Sequence, residues 1–395
     1  MKLMEIMRRV AETGAIDLAI GTPGFNPDQQ LVDRLVAALR DGVHQYEPSA
    51  GLPLLRAGIA QWLQPSVADV SPENVTITCG ASEGLMIALH TVIDPGDEVV
   101  VLEPAYEGFA AAAQICGARV RVVRLGVPEW AVDIPALERA LTPATRAVIL
   151  NSPHNPTGKV FTREELSQIG ALCAEREVLC IADEVYSAFG NGLFVSALDV
   201  PDLAHRTLCL GSFSKALAVS GWRIGFLITP PGLTHRARHI HQAMTAGAPS
   251  APQHAIGGLL ADTNAFRAVT ESAAAHVREQ GLHARAMFTR SHLHPTSGQG
   301  GCFFLAELSG ESASIICTRL IERHGVAVAP GTAFWADPAI GERYIRVAFN
   351  KGSATIAEAA RRLGALRLDL CESGDDVPDD APKAIGKHLA EHDPS

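Results

Sequence analysis

The stretch Gly211–Phe226 reads GSFSKALAVSGWRIGF and decides how the rest of the chain is interpreted. It places Lys215 between two serines and ahead of an arginine, directly after an apolar run. The chain contains six lysines, and Lys215 is the one that directly follows a buried-strand pattern. Because lysines are mostly solvated surface residues, a lysine at the end of a buried strand indicates a functional group.

Short apolar runs, most of them followed by a polar or glycine cluster and a helical pattern, predict a parallel sheet covered on both faces. The runs are VTIT at 75–78, EVVVLE at 98–103, AVIL at 147–150, VLCIA at 178–182 and TLCL at 207–210, and a further strand is expected within GWRIGFLITP at 221–230. Ligands of such sheets bind outside the carboxyl ends of the strands. The polar clusters are therefore expected to face one shared site.

The fold class expected from this pattern is α/β, with a large domain whose mostly parallel sheet is sandwiched by helices and a smaller α+β domain. The sequence pattern changes after about residue 250, where an Ala-rich helical stretch leads into the short strands GCFFLAEL, GVAVAPG and YIRVAF. We predict a large domain at 34–250 and a small domain formed by 1–33 and 251–370. The remaining residues, 371–395, read as a disordered acidic tail.

Composition excludes several classes of function. The net charge of -10 argues against a nucleic-acid partner, since phosphate backbones attract clustered Lys and Arg. No apolar run suits a membrane span, and the first residues read as an amphipathic helix rather than a signal peptide, which predicts a cytoplasmic protein. The eight cysteines lack a CxxC pair and read as reduced core thiols, and HRARHIHQ at 235–242 reads as a solvated helix face. No metal site is predicted.

The chemistry around Lys215 points to a phosphate-bearing aldehyde. A lysine that attacks a carbonyl must be neutral, which burial or a neighbouring cation achieves. Ser212 and Ser214 offer hydroxyl groups, and Arg223 offers a planar fork that suits a phosphate. Together they suggest pyridoxal 5'-phosphate (PLP) held as a Schiff base on Lys215. The lysines at 159 and 351 follow polar turns and are expected to be solvated.

The other strand ends supply the remaining groups that PLP needs. Asp183 would keep the pyridine nitrogen protonated, and Asn155 and Tyr186 would face the phenolic oxygen. A ring stacked on the cofactor and backbone N–H groups at a helix start would complete the site. The residues in those two roles are Tyr106, for stacking, and Ala81 and Ser82, for the phosphate.

The segments YEPSAG, GASEGL, EPAY, NSPHNPTG, ADEVY, SFSKALAVSGWRIGF and RVAF resemble the fold type I, PLP-dependent aminotransferases of class I/II, whose fold is aspartate aminotransferase-like. The nearest group is that of the kynurenine, methionine and aromatic aminotransferases. The resemblance covers roughly residues 15–365. It implies a ping-pong transfer of an amino group between an L-amino acid and a 2-oxo acid.

The resemblance also assigns roles. Lys215 would carry the internal aldimine and, once released, move the proton between the substrate Cα and the cofactor. Arg346 would bind the substrate α-carboxylate, and the backbone near Gly21 would border the substrate. The protein would be a homodimer with shared active sites, in which Tyr46 reaches the phosphate of the partner subunit.

Three questions stay open at the level of sequence. The same fold supports other PLP reactions, namely those of a β-lyase, a decarboxylase or an oxidase, and a non-catalytic PLP-sensing domain is a further alternative. The segment Leu18–Phe25 departs from the usual pattern of the family, so the substrate-side wall is expected to differ. Glu47 and Glu107 would favour a cationic or polar donor side chain if they face the site, or they face solvent.

Overall fold

The computed structural model describes residues 3–64, 68–291 and 293–364. The helices of this part of the chain are α1 Leu3–Thr13, α2 Gln29–Arg40, α3 Pro53–Leu63, α4 Ala81–Val92, α5 Glu107–Ile115, α6 Ile134–Ala140, α7 Arg163–Glu175, α8 Pro201–Ala204, α9 Pro231–Thr245, α10 Ser250–Ala261, α11 Thr263–Arg290, α12 Ala313–His324, α13 Pro338–Gly341 and α14 Ser353–Leu363. The strands are β1 Ile16–Asp17, β2 Val75–Thr78, β3 Glu98–Glu103, β4 Arg119–Arg124, β5 Thr145–Asn151, β6 Leu179–Asp183, β7 Thr207–Ser212, β8 Gly225–Ile228, β9 His294–Pro295, β10 Phe303–Glu307, β11 Val326–Ala327, β12 Ala329–Pro330 and β13 Tyr344–Ala348.

The main sheet has seven strands in the order β2-β8-β7-β6-β5-β3-β4. Only β8 runs antiparallel to its neighbours, and the other adjacent pairs are parallel. Each predicted apolar run forms one of these strands, which confirms the α/β class and the mostly parallel sheet.

Alternate residues of the central strands face two different layers of helices, because strand side chains point to opposite faces in turn. In β3, Val99 and Val101 share a buried cluster with Phe109 of α5 and with residues of α4. Val100 and Leu102 belong to the opposite cluster, which includes Leu166 of α7. Burial on both faces is why these strands are uniformly apolar in sequence.

The register of the sheet brings polar strand ends to one edge. Asn151, the last residue of β5, pairs with Asp183, the last residue of β6. At the end of β7, Ser212 pairs with Gly225, the first residue of β8. Side chains from three strand ends therefore converge on one position, as ligand sites in parallel sheets do.

The later part of the chain forms a second, antiparallel sheet in the order β12-β13-β10-β9, in which Arg346 pairs with Leu305. The opening segment pairs with the later part of the chain in a separate two-stranded sheet, in which β1 runs parallel to β11 with Ile16 opposite Val326. The predicted division of the chain into two domains stays a prediction. The predicted tail at 371–395 lies outside the described residues.

Several local predictions need correction. Lys159, expected to be solvated, is 5% exposed and forms an ion pair with Glu165 at 2.8 Å. His241, assigned to a solvated helix face, is fully buried and lies 3.4 Å from Glu83. The edge strand β4 is not among the predicted strands. Six of the seven described cysteines are buried free thiols, as predicted, whereas Cys79 is half-buried.

Candidate active site

A cavity of about 310 Å³ opens at the carboxyl ends of β5, β6 and β7. Twelve of the thirteen predicted site residues line it: Gly21, Ala81, Ser82, Tyr106, Asn155, Asp183, Tyr186, Ser212, Ser214, Lys215, Arg223 and Arg346. The exception is Tyr46, which is 86% exposed and lies outside the cavity. The fold therefore brings together residues that are up to 325 positions apart along the chain, Gly21 and Arg346.

Lys215 follows β7 and projects into the cavity, where its Nζ donates a hydrogen bond to the carbonyl of Gly21 at 2.9 Å. Desolvation lowers the pKa of Lys215, and the positive charges of Arg346 and Lys351 lower it further. Cys302 and Asp183 oppose this change. An amine with a lowered pKa is more often neutral near pH 7 and is a better nucleophile and base.

Asp183 stands at the end of β6, and burial raises the pKa of its carboxyl to about 7. The backbone N–H of Val185, which donates to Asp183 Oδ1 at 3.2 Å, and the charge of Lys215 offset part of this effect. A second cation close to the carboxylate would restore its ionised form. The site thus suits a positively charged ring nitrogen.

Arg346 lies on β13 with its guanidinium buried between two aromatic rings, 4.3 Å from the Phe303 centroid and 4.4 Å from that of Phe334. Its Nη1 donates to Asn155 Oδ1 at 2.9 Å, and its Nη2 donates to the Ala19 carbonyl at 2.5 Å. Its Nε is buried and has no hydrogen-bond partner among the described residues. A planar cation fixed in this way suits a bidentate carboxylate.

An anion cradle forms where α4 begins. Gly80, with φ of +76°, precedes the helix, and a Cβ there would lie 2.5 Å from Nη2 of Arg223. A Cβ on Gly225 would lie 2.7 Å from the backbone nitrogen of Ala81, so the β7–β8 turn packs directly on the helix start. Arg223 is held by the carbonyls of Ser220 at 3.0 Å and Cys79 at 3.2 Å. Backbone N–H groups at a helix start together with a guanidinium suit a phosphate.

The remaining predicted residues surround the space between these groups. The Tyr186 ring is buried against Phe303 at 5.6 Å between centroids, and burial raises its pKa. Tyr106 is 37% exposed at the cavity mouth and packs its ring edge-on against Phe109. Asn155 lies beside Arg346, because its Oδ1 accepts a hydrogen bond from Nη1 of Arg346. Both tyrosines are expected to be neutral phenols at pH 7.

The family follows from a comparison with known proteins. The model of the family "Aminotransferase class I and II" matches residues 13–363. The chain belongs to this family. The methionine aminotransferase of Escherichia coli is 31% identical to this aminotransferase over 361 residues, which cover 89% of this chain and 92% of that protein. The arginine–pyruvate transaminase of Pseudomonas aeruginosa is 33% identical over 362 residues, covering 89% and 90%.

Solved structures agree with the fold of this aminotransferase. The N-succinyldiaminopimelate aminotransferase of Mycobacterium tuberculosis superimposes with a TM-score of 0.86 at 29% identity, covering 92% of this chain and 96% of that one. An aspartate aminotransferase of Thermus thermophilus superimposes with a TM-score of 0.85 at 27% identity, covering 92% and 96%. The predicted family, the aspartate aminotransferase-like fold and the predicted enzyme class are confirmed.

The family implies PLP, and three features of this aminotransferase fit that cofactor. A Cβ on Gly80 would clash with Arg223 and a Cβ on Gly225 with the Ala81 nitrogen, so the two glycines let Arg223 and the start of α4 lie close together as a phosphate site requires. A desolvated lysine faces the same cavity. A carboxyl group there has a raised pKa and lacks a strong cationic partner. Each feature alone disfavours folding. A bound phosphate would offset the cost of the first, an aldehyde that of the second and a ring nitrogen that of the third.

Sequence reasoning missed several residues of the cavity. Asn151 donates to the Asp183 carbonyl at 2.9 Å and accepts from the Asn155 N–H at 2.7 Å, so it fixes two of the predicted residues. It lies in the quoted segment NSPHNPTG, which was the available signal. Phe303 and the α1 residues Leu3 and Met7 also line the cavity. No sequence pattern linked the first helix to the site.

The prediction of a solvated Lys351 is also wrong. This residue is 5% exposed, and its Nζ donates to the carbonyls of Ile20 at 2.7 Å and Thr22 at 3.1 Å. It follows β13 and reaches back to the segment that borders the cavity. A lysine after a polar turn is here folded into the interior.

The described residues contain neither a metal-ligand cluster nor a membrane-spanning helix. No group of three or more His, Cys, Asp or Glu side chains there is arranged to hold a metal ion. No helix in those ranges combines the length and the apolar character needed to cross a membrane. The cytoplasmic location stays a prediction.

Proposed function

We propose that this aminotransferase holds PLP on Lys215 and moves an amino group from an L-amino acid to a 2-oxo acid in a ping-pong cycle. One observation carries the proposal: Lys215 and Arg346 are anchored two residues apart on the same short segment, at the Gly21 and Ala19 carbonyls. A substrate whose α-carboxylate binds Arg346 therefore presents its Cα near Lys215. When bound, PLP supplies an aromatic ring that withdraws electrons from the substrate Cα.

Lys215 acts as the base and the acid of the transfer. Its Nζ would take the proton from the substrate Cα and would return it beyond the substrate nitrogen, on the cofactor side. Desolvation and the nearby cations favour the neutral amine, which is the form that accepts a proton. The Gly21 carbonyl, 2.9 Å away, orients the amine.

The other predicted residues hold the cofactor. Asp183 pairs with the ring nitrogen, and Asn155 and Tyr186 donate to the phenolic oxygen, while Tyr106 stacks on the ring. The phosphate is bound at the start of α4 by residues whose close packing supports this role. These residues are Ala81, Ser82, Ser212, Ser214 and Arg223.

Arg346 binds the substrate α-carboxylate. The buried guanidinium keeps Nε without a protein partner within the described residues, so donor capacity remains for a ligand. The rings of Phe303 and Phe334 hold it in one plane and exclude water, which strengthens the ion pair with a carboxylate. Gly21 borders the substrate beside the Phe303 ring, with which a Cβ would clash at 2.2 Å.

We propose that the amino donor carries a cationic or uncharged side chain. Within the described residues, the cations that line the cavity are Lys215, Arg223 and Arg346, and each has a role. No cation remains for a second substrate carboxylate, whereas the carboxylate of Glu107 also lines the cavity. The relatives named for methionine and for arginine are named for donors of this kind. Aspartate and glutamate are expected to be poor donors.

We propose a homodimer in which Tyr46 completes the phosphate site of the partner subunit. Its 86% exposure and its position outside the cavity of its own chain support a role outside that chain. The segment that carries it is fixed to α10, since His254 contacts Glu47 at 2.7 Å.

The proposal is tested with Lys215→Ala and with Lys159→Met as a matched lysine control, because Lys159 lies outside the cavity. We expect Lys215→Ala to lose transamination by at least about 10²-fold while it still folds, and Lys159→Met to keep it. Borohydride reduction of the wild-type holoenzyme followed by peptide mapping is expected to find the cofactor on Lys215. Full activity of Lys215→Ala, or a cofactor attached elsewhere, would overturn the proposal.

A further inference from the structure

Four successive backbone carbonyls at the cavity wall each accept a hydrogen bond from a polar side chain. Arg346 Nη2 donates to Ala19, and Lys351 Nζ donates to both Ile20 and Thr22. The carbonyl between them, that of Gly21, accepts from Lys215 Nζ and from Asn350 Nδ2, both at 2.9 Å. We name residues 19–22 the wall segment.

The wall segment packs directly against the Phe303 ring at Gly21. A Cβ on Gly21 would lie 2.2 Å from Cζ of Phe303, so the backbone presses directly on the ring that also covers Arg346. The segment begins at Asp17, whose Oδ1 accepts the N–H groups of Ala19 at 2.8 Å and Ile20 at 2.9 Å. The backbone that leads into the carbonyls bonded by Lys351 is therefore fixed as well.

Bonding two carbonyls with the buried ammonium group of Lys351 lowers the stability of the fold. Its ammonium group is buried and its nearest carboxylate, Asp17 Oδ2, lies 3.5 Å away. Burying an ammonium with partial compensation disfavours folding relative to an apolar side chain of similar volume. A buried cation retained beside an active site is therefore a candidate for a functional role.

We propose that Lys351 is a positioning residue for transamination, holding the wall segment so that Gly21 faces Lys215 and Ala19 faces Arg346. This inference rests on the proposed function. Lys351 touches neither the substrate space nor the reacting amine, since it does not line the cavity among the described residues. It acts through the two carbonyls that it bonds and through the carbonyl between them.

Electrostatics adds a second effect of the same residue. The titratable groups that act most strongly on the pKa of Lys215 are Cys302 and Asp183, which raise it, and Arg346 and Lys351, which lower it. Tyr186 also lines the cavity as a neutral phenol. Removal of the Lys351 charge is expected to raise the pKa of Lys215, because one neighbouring cation is lost.

The test compares Lys351→Met with Lys159→Met. Lys159 is an equally buried lysine, 5% exposed, whose ion pair with Glu165 lies outside the cavity. With only six lysines in the chain, the cofactor-free protein labelled with ¹³C at lysine Cε gives a spectrum in which Lys215 can be assigned and titrated. Thermal unfolding and the separate values of kcat and KM complete the measurements.

We expect both variants to unfold at a lower temperature than the wild type. Lys351→Met alone is expected to raise the pKa of Lys215 and to lower kcat/KM by roughly tenfold or more. Equal Lys215 titrations and equal kcat/KM in Lys351→Met, Lys159→Met and the wild type would overturn the inference. If the wild type itself does not transaminate, it is the proposed function that fails.

Lys351→Arg keeps the test decisive if Lys351→Met does not fold. The charge is retained, so the pKa of Lys215 is expected to stay low, whereas the larger planar group cannot reproduce both carbonyl bonds. We therefore expect a higher KM for amino acids with little change in the Lys215 titration. An unchanged KM in Lys351→Arg would contradict a positioning role.

Discussion

Lys215 and Arg346, 131 residues apart in sequence, are tied to the same short segment: Lys215 Nζ bonds the Gly21 carbonyl at 2.9 Å and Arg346 Nη2 bonds the Ala19 carbonyl at 2.5 Å. The two side chains are held by different sheets, since Lys215 follows β7 of the main sheet and Arg346 lies on β13 of the second sheet. Their spacing is set by two residues of backbone. The backbone of this segment thereby couples the position of the lysine amine to that of the guanidinium.

Replacing Arg346 by Ala tests the carboxylate site. We expect KM for amino acids to rise by roughly 10- to 100-fold, since a hydrogen-bonded charged contact is worth about 1.5–3 kcal/mol. Arg343→Ala is the matched control, because Arg343 lies three residues away in an exposed ion pair with Glu307. Steady-state kinetics with several donors measures both variants. If KM for Arg346→Ala equals that of Arg343→Ala, Arg346 does not bind the substrate.

Asp183 predicts a pH-dependent stability of the cofactor-free protein. The pKa of Asp183 is raised to about 7 in the folded chain, above its unfolded value of about 3.9. Its favourable contribution is therefore complete below about pH 4 and is lost as the pH rises through 7. At pH 8 we expect cofactor-free Asp183→Asn to unfold at a higher temperature than the cofactor-free wild type, with a difference that shrinks towards pH 4.

The stability of Asp183→Asn is expected to keep part of its pH dependence, because burial raises the pKa of Glu184 to about 7 as well. Asp183→Asn is expected to bind PLP more weakly, although its cofactor-free form is more stable. Calorimetry across pH 4–8 measures the first effect and equilibrium dialysis of PLP the second. Parallel stability curves for variant and wild type would show that Asp183 does not titrate in this range.

Tyr46 is tested by mixing two defective chains. One chain carries Lys215→Ala and keeps Tyr46, and the other carries Tyr46→Ala and keeps Lys215. If Tyr46 acts across a dimer, the mixed dimer contains one complete site, and mixing is expected to raise activity above that of either variant alone. Light scattering would establish the dimer independently. No gain on mixing, with subunit exchange demonstrated, would show that Tyr46 does not act in the site of the partner subunit.

Glu107 is expected to set part of the donor preference. Glu107→Gln should lower kcat/KM for arginine by roughly two- to fivefold while methionine is unaffected, since a partly exposed ion pair contributes below about 1 kcal/mol. Glu47→Gln is the control, because Glu47 pairs with His254 away from the cavity. Equal losses for arginine and methionine would show that Glu107 does not select the donor.

The central sheet could be predicted because its strands are buried on both faces, so β5, β6 and β7 are uniformly apolar and end in the polar residues of the site. The strand β4, RVRVVR, could not be predicted in the same way, since it is an edge strand whose exposed arginines pair with Glu98 and Glu103 of β3. A charged edge is typical of sheets that avoid further pairing.

The site residues at strand ends were predictable for the same reason, because the register of a parallel sheet places them together. Lys159, His241 and Lys351 were misinterpreted, since each lies next to polar residues in sequence and finds its partners through tertiary contacts. Lys351 bonds a segment about 330 residues earlier in the chain. Such partners follow from the packed fold and have no local sequence signal.

The most direct measurement is a single-turnover reaction of the purified holoenzyme with one amino acid at a time and no acceptor. The donors should include methionine, arginine, an aromatic amino acid and aspartate. We predict loss of the visible cofactor band, with pyridoxamine phosphate and the matching 2-oxo acid formed in amounts equal to the enzyme sites, fastest for a cationic or uncharged donor. A cofactor that remains pyridoxal phosphate with every donor, or a product other than a 2-oxo acid, would contradict the account.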